Sequence, residues 1–250
     1  MRTDSDLPFF FGPDAGLFGM YHAPAGRARL GVLMCPPLGQ DLIRCHRLYR
    51  QMAQSLAGKG VAVLRFDYHG TGDSAGDSIE VDWQRCVADT ATAAGELRLR
   101  AGTDRIVAFG ARLGASIAMS ATRAGFTEVI GWDAVLDGAA HVARLDSLQV
   151  ALREDTGRFN RPRGHDDVAG QWLGFNVGER LRAQLSGLRI AAPPVPTLLV
   201  ESGHGEPSAN GARVVSLGHP TTWDDLGRLE SAILSHPLIQ AVTTHLGIAA

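Results

Sequence analysis

Arg105-Ile106-Val107-Ala108-Phe109-Gly110-Ala111-Arg112-Leu113-Gly114-Ala115-Ser116-Ile117-Ala118 carries more information than any other run of this chain. Residues 105–109 have the length and apolar character of a buried strand. Leu113, Ile117, Ala118 and Ala121 then recur on one face of a helix. Between the two, Gly110-Ala111-Arg112-Leu113-Gly114 has the frame of a nucleophile elbow, Gly-x-Ser-x-Gly, with arginine in the serine position. A serine on such a turn, activated by a histidine, attacks carbonyl carbon. A guanidinium stays protonated and has no free lone pair, so Arg112 cannot be a nucleophile.

Outward from this run the alternation of strand and helix repeats. Residues 29–35 form a continuous apolar strand closed by Pro36-Pro37, and Leu42, Cys45, Tyr49, Met52, Ala53 and Leu56 follow at helical spacing until Gly58 and Gly60. Residues 61–66 predict a second buried strand, residues 81–100 a long helix, and residues 128–135, 197–200 and 213–217 further strands. Two short helices are expected at the C-terminus, the second started by Pro237 behind Ser235 as cap. At the other end, residues 7–11 and 17–21 flank Gly12-Pro13-Asp14-Ala15-Gly16 and predict a β-hairpin.

This order implies a mainly parallel sheet with helices on both faces. With the elbow in place, the expectation is an α/β-hydrolase fold with an N-terminal β-hairpin and a small helical cap. Residues 139–190 break the rhythm and are assigned to the cap. Residues 1–138 and 191–250 make the core, and the whole is one domain.

The totals exclude several classes of function. A chain of 250 residues with 45% hydrophobic and 20% charged residues is long enough for one large core. Its net charge of −2, without a long basic block, argues against nucleic acid as a partner. Cys35, Cys45 and Cys86 have neither metal-site spacing nor a disulfide pattern, so no metal or cofactor is expected and a reducing, cytoplasmic setting is. No stretch approaches the roughly 20 apolar residues of a membrane span, and the Phe9-Phe10-Phe11 run is too short for a signal sequence. The oligomeric state is left open.

Ligands of an open parallel sheet bind beyond the carboxyl ends of its strands. One loop there is Cys35-Pro36-Pro37-Leu38-Gly39-Gln40, so Pro37 and Leu38, with Leu113 of the elbow, are the expected ligand or oxyanion-binding positions. In Asp67–Ser74, the side chains of Asp67, Asp73 and Ser74 are expected to hold the loop rather than to react. Arg112 has two readings. Beside a helix N-terminus it would grip a carboxylate or phosphate; held instead by an acid such as Glu206 or Asp133, it would plug the pocket. Glu206 and His219 follow the last two strands, where a triad acid and histidine belong. Ser116 lies one turn deeper than Arg112 and does not replace the missing serine.

The chain resembles the α/β-hydrolase-like proteins of exosortase A and exopolysaccharide gene clusters, the type labelled "hydrolase 2". The resemblance rests on Gly19-Met20-Tyr21-His22-Ala23-Pro24, Cys35-Pro36-Pro37, the stretch from Leu64 to Asp77, Gly110-Ala111-Arg112-Leu113-Gly114-Ala115, Trp132-Asp133-Ala134-Val135-Leu136-Asp137-Gly138 and Leu198-Leu199-Val200-Glu201-Ser202-Gly203. It implies a hydrolase fold whose elbow lacks serine, and it supplies no substrate. Three functions are then open: binding of a small anionic or acyl-type ligand without serine-hydrolase turnover, an esterase or thioesterase in which His219 and Glu206 activate water, and a non-enzymatic partner-binding protein of an exopolysaccharide or exosortase pathway.

Overall fold

The computed structural model describes residues 6–155, 157, 170–203 and 211–248. Chain order runs through β1 (Asp6–Phe11), β2 (Leu17–His22), β3 (Gly31–Cys35), α1 (Gln40–Ala57), β4 (Ala62–Phe66), α2 (Trp83–Ala101), β5 (Ile106–Ala111), α3 (Leu113–Ser120) and β6 (Glu128–Trp132). There follow α4 (Gly138–Glu154), a short hairpin of two-residue strands β7 (Gln171–Trp172) and β8 (Phe175–Asn176), α5 (Glu179–Ser186), β9 (Thr197–Glu201), β10 (Arg213–Ser216) and α6 (His236–His245).

Eight strands form one sheet in the order β1-β2-β4-β3-β5-β6-β9-β10. The β1–β2 hairpin and the β2–β4 pair are antiparallel, and every other pair is parallel. All residues of β3 and β5 are buried, as unbroken apolar runs require when helices cover both faces. One face packs on α2 and α3, through residues such as Trp83, Leu97 and Ile117. The other packs on α1 and α6, through Leu48, Met52, Leu238 and Val242. This is the α/β-hydrolase fold.

Two expected boundaries shift. β6 ends at Trp132 because Asp133 takes a left-handed backbone, φ 44°, that turns the chain out of the sheet. At the C-terminus one helix forms, α6, with Ser235 accepting from the Leu238 N–H and proline in its first turn. The earlier segment makes only a 3₁₀ turn at Leu226–Arg228. There the buried Arg44 guanidinium takes up the carbonyls of Thr222, Trp223 and Ser231, which helical pairing would otherwise use. Between β6 and β9, the predicted cap segment carries α4, the β7–β8 hairpin and α5.

Candidate functional site

The elbow is built by close backbone approach. A Cβ on Gly110 would lie 2.5 Å from the Ala115 nitrogen, and one on Gly114 would lie 2.4 Å from the Cys35 carbonyl oxygen. Only glycine fits either place. Tyr49, buried on α1, fixes the two loops together: its hydroxyl donates to the Cys35 carbonyl (2.9 Å) and accepts from the Ala111 N–H (2.8 Å). Arg112 sits at the tip with φ 51° and ψ −127°, a strained conformation for a residue with a side chain. Its N–H donates to the Trp132 carbonyl across the sheet end.

The Arg112 guanidinium is occupied within the protein. Its Nε lies 3.4 Å from Asp41 Oδ2, its Nη1 donates to the Asp133 carbonyl at 3.2 Å, and its central carbon stands 5.2 Å from the centre of the Trp223 ring. Its side chain is only 14% exposed. The acid that meets Arg112 is thus Asp41, in the first turn of α1, and Asp133 contributes its backbone oxygen. The Asp133 carboxylate is engaged elsewhere. It accepts from the Ser202 N–H (2.7 Å), the Ser202 hydroxyl (2.5 Å) and the Trp223 indole (2.6 Å). The Ser202 hydroxyl in turn accepts from Trp132 and Thr221, so one network ties the loops after β6, β9 and β10. Beside it, burial and then the Asp133 carboxylate raise Glu201 to about 7.

Between the core and the segment from α4 to α5 lies a cavity of about 230 Å³. Its walls are mostly apolar, with Leu42, Leu145, Trp172, Phe175, Leu181 and Leu185 among them. Its polar lining comes from several elements, with Gln40, Asp41, Thr71, Ser78, His141 and Asn176 in the wall, and Leu113, the first residue of α3, lines it too. The Leu113 N–H has no carbonyl within its own helix to receive it. His141 comes from α4 and is 5% exposed. Its Nδ1 lies 3.1 Å from Arg144 Nη2; a guanidinium only donates, so Nδ1 accepts and Nε2 carries the hydrogen. Burial, then the charges of Arg112 and Arg144, lower His141 to about 3, and it is neutral at ordinary pH. Arg144 also pairs with Asp224, and burial followed by Arg112 lowers it to about 10. Burial lifts Asp41 above the usual carboxylate range, opposed by Arg112, Arg144 and Arg44.

The expected residues separate. Leu38 and Leu113 line the cavity, whereas Pro37 lines a recess of about 30 Å³ with His46, Tyr49 and Asp67. His219 is exposed on the loop after β10 and is not in the cavity wall, and Glu206 lies outside the described residues. Ser116 is fully buried, its hydroxyl donating to the Val135 carbonyl at 2.5 Å. Cys35 is buried and burial pushes its thiol up, away from reactivity. In the 67–74 loop, Asp67 accepts from the Asp73 N–H and Ser74 donates to the Asp67 carbonyl. Asp41, His141 and Arg144 carry no sequence motif; the single clue is that Asp41 directly follows the Cys35–Gln40 loop at the strand ends. Among the described residues no cluster of three or more His, Cys, Asp or Glu is placed to hold a metal. No helix among them is long and apolar enough to cross a membrane.

Comparison with known proteins agrees with this architecture. A family model described as serine aminopeptidase, S33, matches residues 43–151, less than half of the chain. No curated protein matches the sequence. Among solved structures the chain is similar to a thermostable carboxyl esterase from Bacillus coagulans, with 14% identity, 98% of this chain and 99% of that one covered, and a TM-score of 0.65. It is also similar to Est1E from Butyrivibrio proteoclasticus, at 13% identity, 97% and 98% coverage, and a TM-score of 0.64. The bottromycin epimerase BotH, solved with bottromycin A2, is 18% identical over 98% and 100% of the chains, with a TM-score of 0.59. Identities this low establish the fold and leave the chemistry to the site.

Proposed function

We propose that this protein binds an acyl-type small molecule, an apolar chain ending in a carbonyl group, beneath the cap, without serine-hydrolase turnover. The observation that carries the reading is the apolar cavity meeting the N-terminus of the elbow helix at Leu113, where arginine replaces the nucleophile. The cavity exceeds the roughly 150 Å³ of an engineered apolar cavity that admits benzene. An anionic head group finds less support, because the Arg112 charge is already met by Asp41. That one similar structure is an epimerase and others are esterases supports treating the fold as open to non-hydrolytic use. With this reading go placement among the exosortase A-associated proteins, a cytoplasmic location and the assignment of residues 139–190 as a cap insertion.

The test is a thermal-shift series with 2-octanone, methyl octanoate and octanoate, run beside a fluorophosphonate probe. A rise in melting temperature with the neutral carbonyl compounds and no covalent labelling is expected. No shift with any of them refutes the reading and favours a partner-binding protein. Release of octanoate from the ester, lost in His219→Ala and Glu206→Ala, would establish the hydrolytic alternative.

A further inference from the structure

The cavity wall holds the parts for a reaction that needs no nucleophile. Asp41 presents a carboxylate that is 16% exposed and lines the cavity. His141, from α4, lines the same cavity with Nδ1 taken by Arg144, which leaves Nε2–H as its only donor. The Leu113 N–H begins α3 with the positive end of the helix behind it. A carboxylate base and neutral hydrogen-bond donors lining one mostly apolar site are the groups by which enzymes remove a proton beside a carbonyl.

We propose that this protein exchanges the proton on, or inverts, the carbon next to the carbonyl of its bound acyl compound, with Asp41 as base and His141 Nε2–H and Leu113 N–H as donors to the carbonyl oxygen. The proposal rests on acyl binding beneath the cap. In the step, the Asp41 carboxylate takes the α-proton. The C–H electron pair becomes the new carbon–carbon double bond, and the carbonyl pair moves to oxygen, where the two donors hold the enolate. Return of the proton from Asp41 restores the carbonyl, so no oxidant, water or co-reactant is consumed. When the proton on Asp41 swaps with one from solvent before its return, the same face is restored with exchange; when the enolate turns its other face to Asp41 before the return, the centre is inverted.

The elbow arginine then has a task. At 3.4 Å, the Arg112 charge favours the ionised form of Asp41 and opposes the larger upward push of burial, while Asp41 still lines the cavity. Arg112 is a positioning residue and Asp41 the catalytic one. The other charges that act on Asp41 are Arg144 from α4, itself paired with Asp224, and Arg44 from α1.

The experiment incubates the protein in D2O with 2-octanone or with S-ethyl thiooctanoate and follows α-deuteration by NMR and mass spectrometry. Wild-type protein is expected to exceed buffer. Asp41→Asn should lower the rate by about 100-fold or more, while the same probes still raise the melting temperature. His141→Phe should lower it by about 100-fold, and His141→Gln, which returns a neutral donor, should recover part of the loss. Arg112→Met should move the pH profile upward, because Asp41 then stays protonated to higher pH; a merely structural arginine would leave the profile in place. Should Asp41→Asn fail to fold, Asp41→Glu displaces the carboxylate and is expected to lose exchange likewise. A probe that binds without deuteration overturns this inference and spares the binding reading, as does exchange that survives Asp41→Asn in folded protein. Failure of every probe to bind overturns both.

Discussion

Replacing Arg112 by alanine and by glycine separates two energies that the elbow holds together. Either change removes the 3.4 Å contact with Asp41, the hydrogen bond to the Asp133 carbonyl and the packing over Trp223. Both partners are largely buried, so each variant leaves an unpaired carboxylate. Breaking a buried pair costs about 3–5 kcal/mol; the long contact here reduces that to about 2–4 kcal/mol. Glycine additionally releases the strain of φ 51°, ψ −127°, about 1–3 kcal/mol. Against this stands the greater freedom of an unfolded glycine, about 0.5–1 kcal/mol. Arg112→Gly should therefore be more stable than Arg112→Ala by about 1 kcal/mol, or about 2–4 °C in melting temperature for a chain of this size. Urea unfolding of the two variants at one pH, with equal m-values, measures the difference. A glycine variant no more stable than the alanine variant would show that the elbow is unstrained. The double variant Arg112→Ala/Asp41→Asn supplies the second arm: with the stranded charge gone, it should lose less than the two single losses added.

Gly114→Ala would place a methyl group against the Cys35 and Pro36 carbonyls, which are backbone and cannot swing aside, and should cost about 3 kcal/mol or prevent folding. Calorimetry reads it, and a melting temperature within two or three degrees of wild type would refute the close packing. Tyr49→Phe strands the buried Ala111 N–H and Cys35 carbonyl and should cost about 1–3 kcal/mol. Glu201 gives a pH dependence. Its folded value, about 7, lies above its ordinary 4.5, so its contribution to stability is full below the ordinary value and is lost as pH rises through about 7. Unscreened, that shift is worth about 3 kcal/mol; partial exposure cuts it to about 1–2 kcal/mol. Urea midpoints at pH 5 and pH 7.5 should show this fall in wild type and a smaller one in Glu201→Gln, and an unchanged fall would rule the group out.

The sheet was legible because buried parallel strands write themselves as unbroken apolar runs, and β3 and β5 are buried at every residue. The elbow was legible because its two glycines are forced by backbone contact rather than by chemistry. The site was not. Asp41 looks like an ordinary acid in the first turn of a helix, and its meeting with Arg112 spans 71 residues of sequence. His141 lies on α4, where apolar and polar residues mix without a clear face, so no periodicity marks the side turned to the cavity. The early end of β6 is hidden in the sequence for a related reason. Ala134-Val135 continue the apolar run past Asp133, and nothing local announces that its carboxylate is claimed by Ser202 and Trp223.

Strain at a loop tip usually invites the conclusion that the tip residue reacts. Here the conformation is over-determined from outside: Tyr49 joins the loops from behind, Gly110 and Gly114 permit the contact, and the Arg112 N–H is fixed to Trp132. None of these contacts uses the side chain at the tip, so the turn persists whatever residue stands there. What the turn delivers is a direction. It brings Leu113, at the start of α3, into the cavity wall and sends the side chain of residue 112 toward Asp41. A serine at that point would need a histidine nearby, and the sequence's candidate, His219, is exposed on another loop. An arginine needs only an acid, and Asp41 is in place. With Arg112 as its ion-pair partner, Asp41 supplies at the elbow the carboxylate that the α-proton exchange we propose requires.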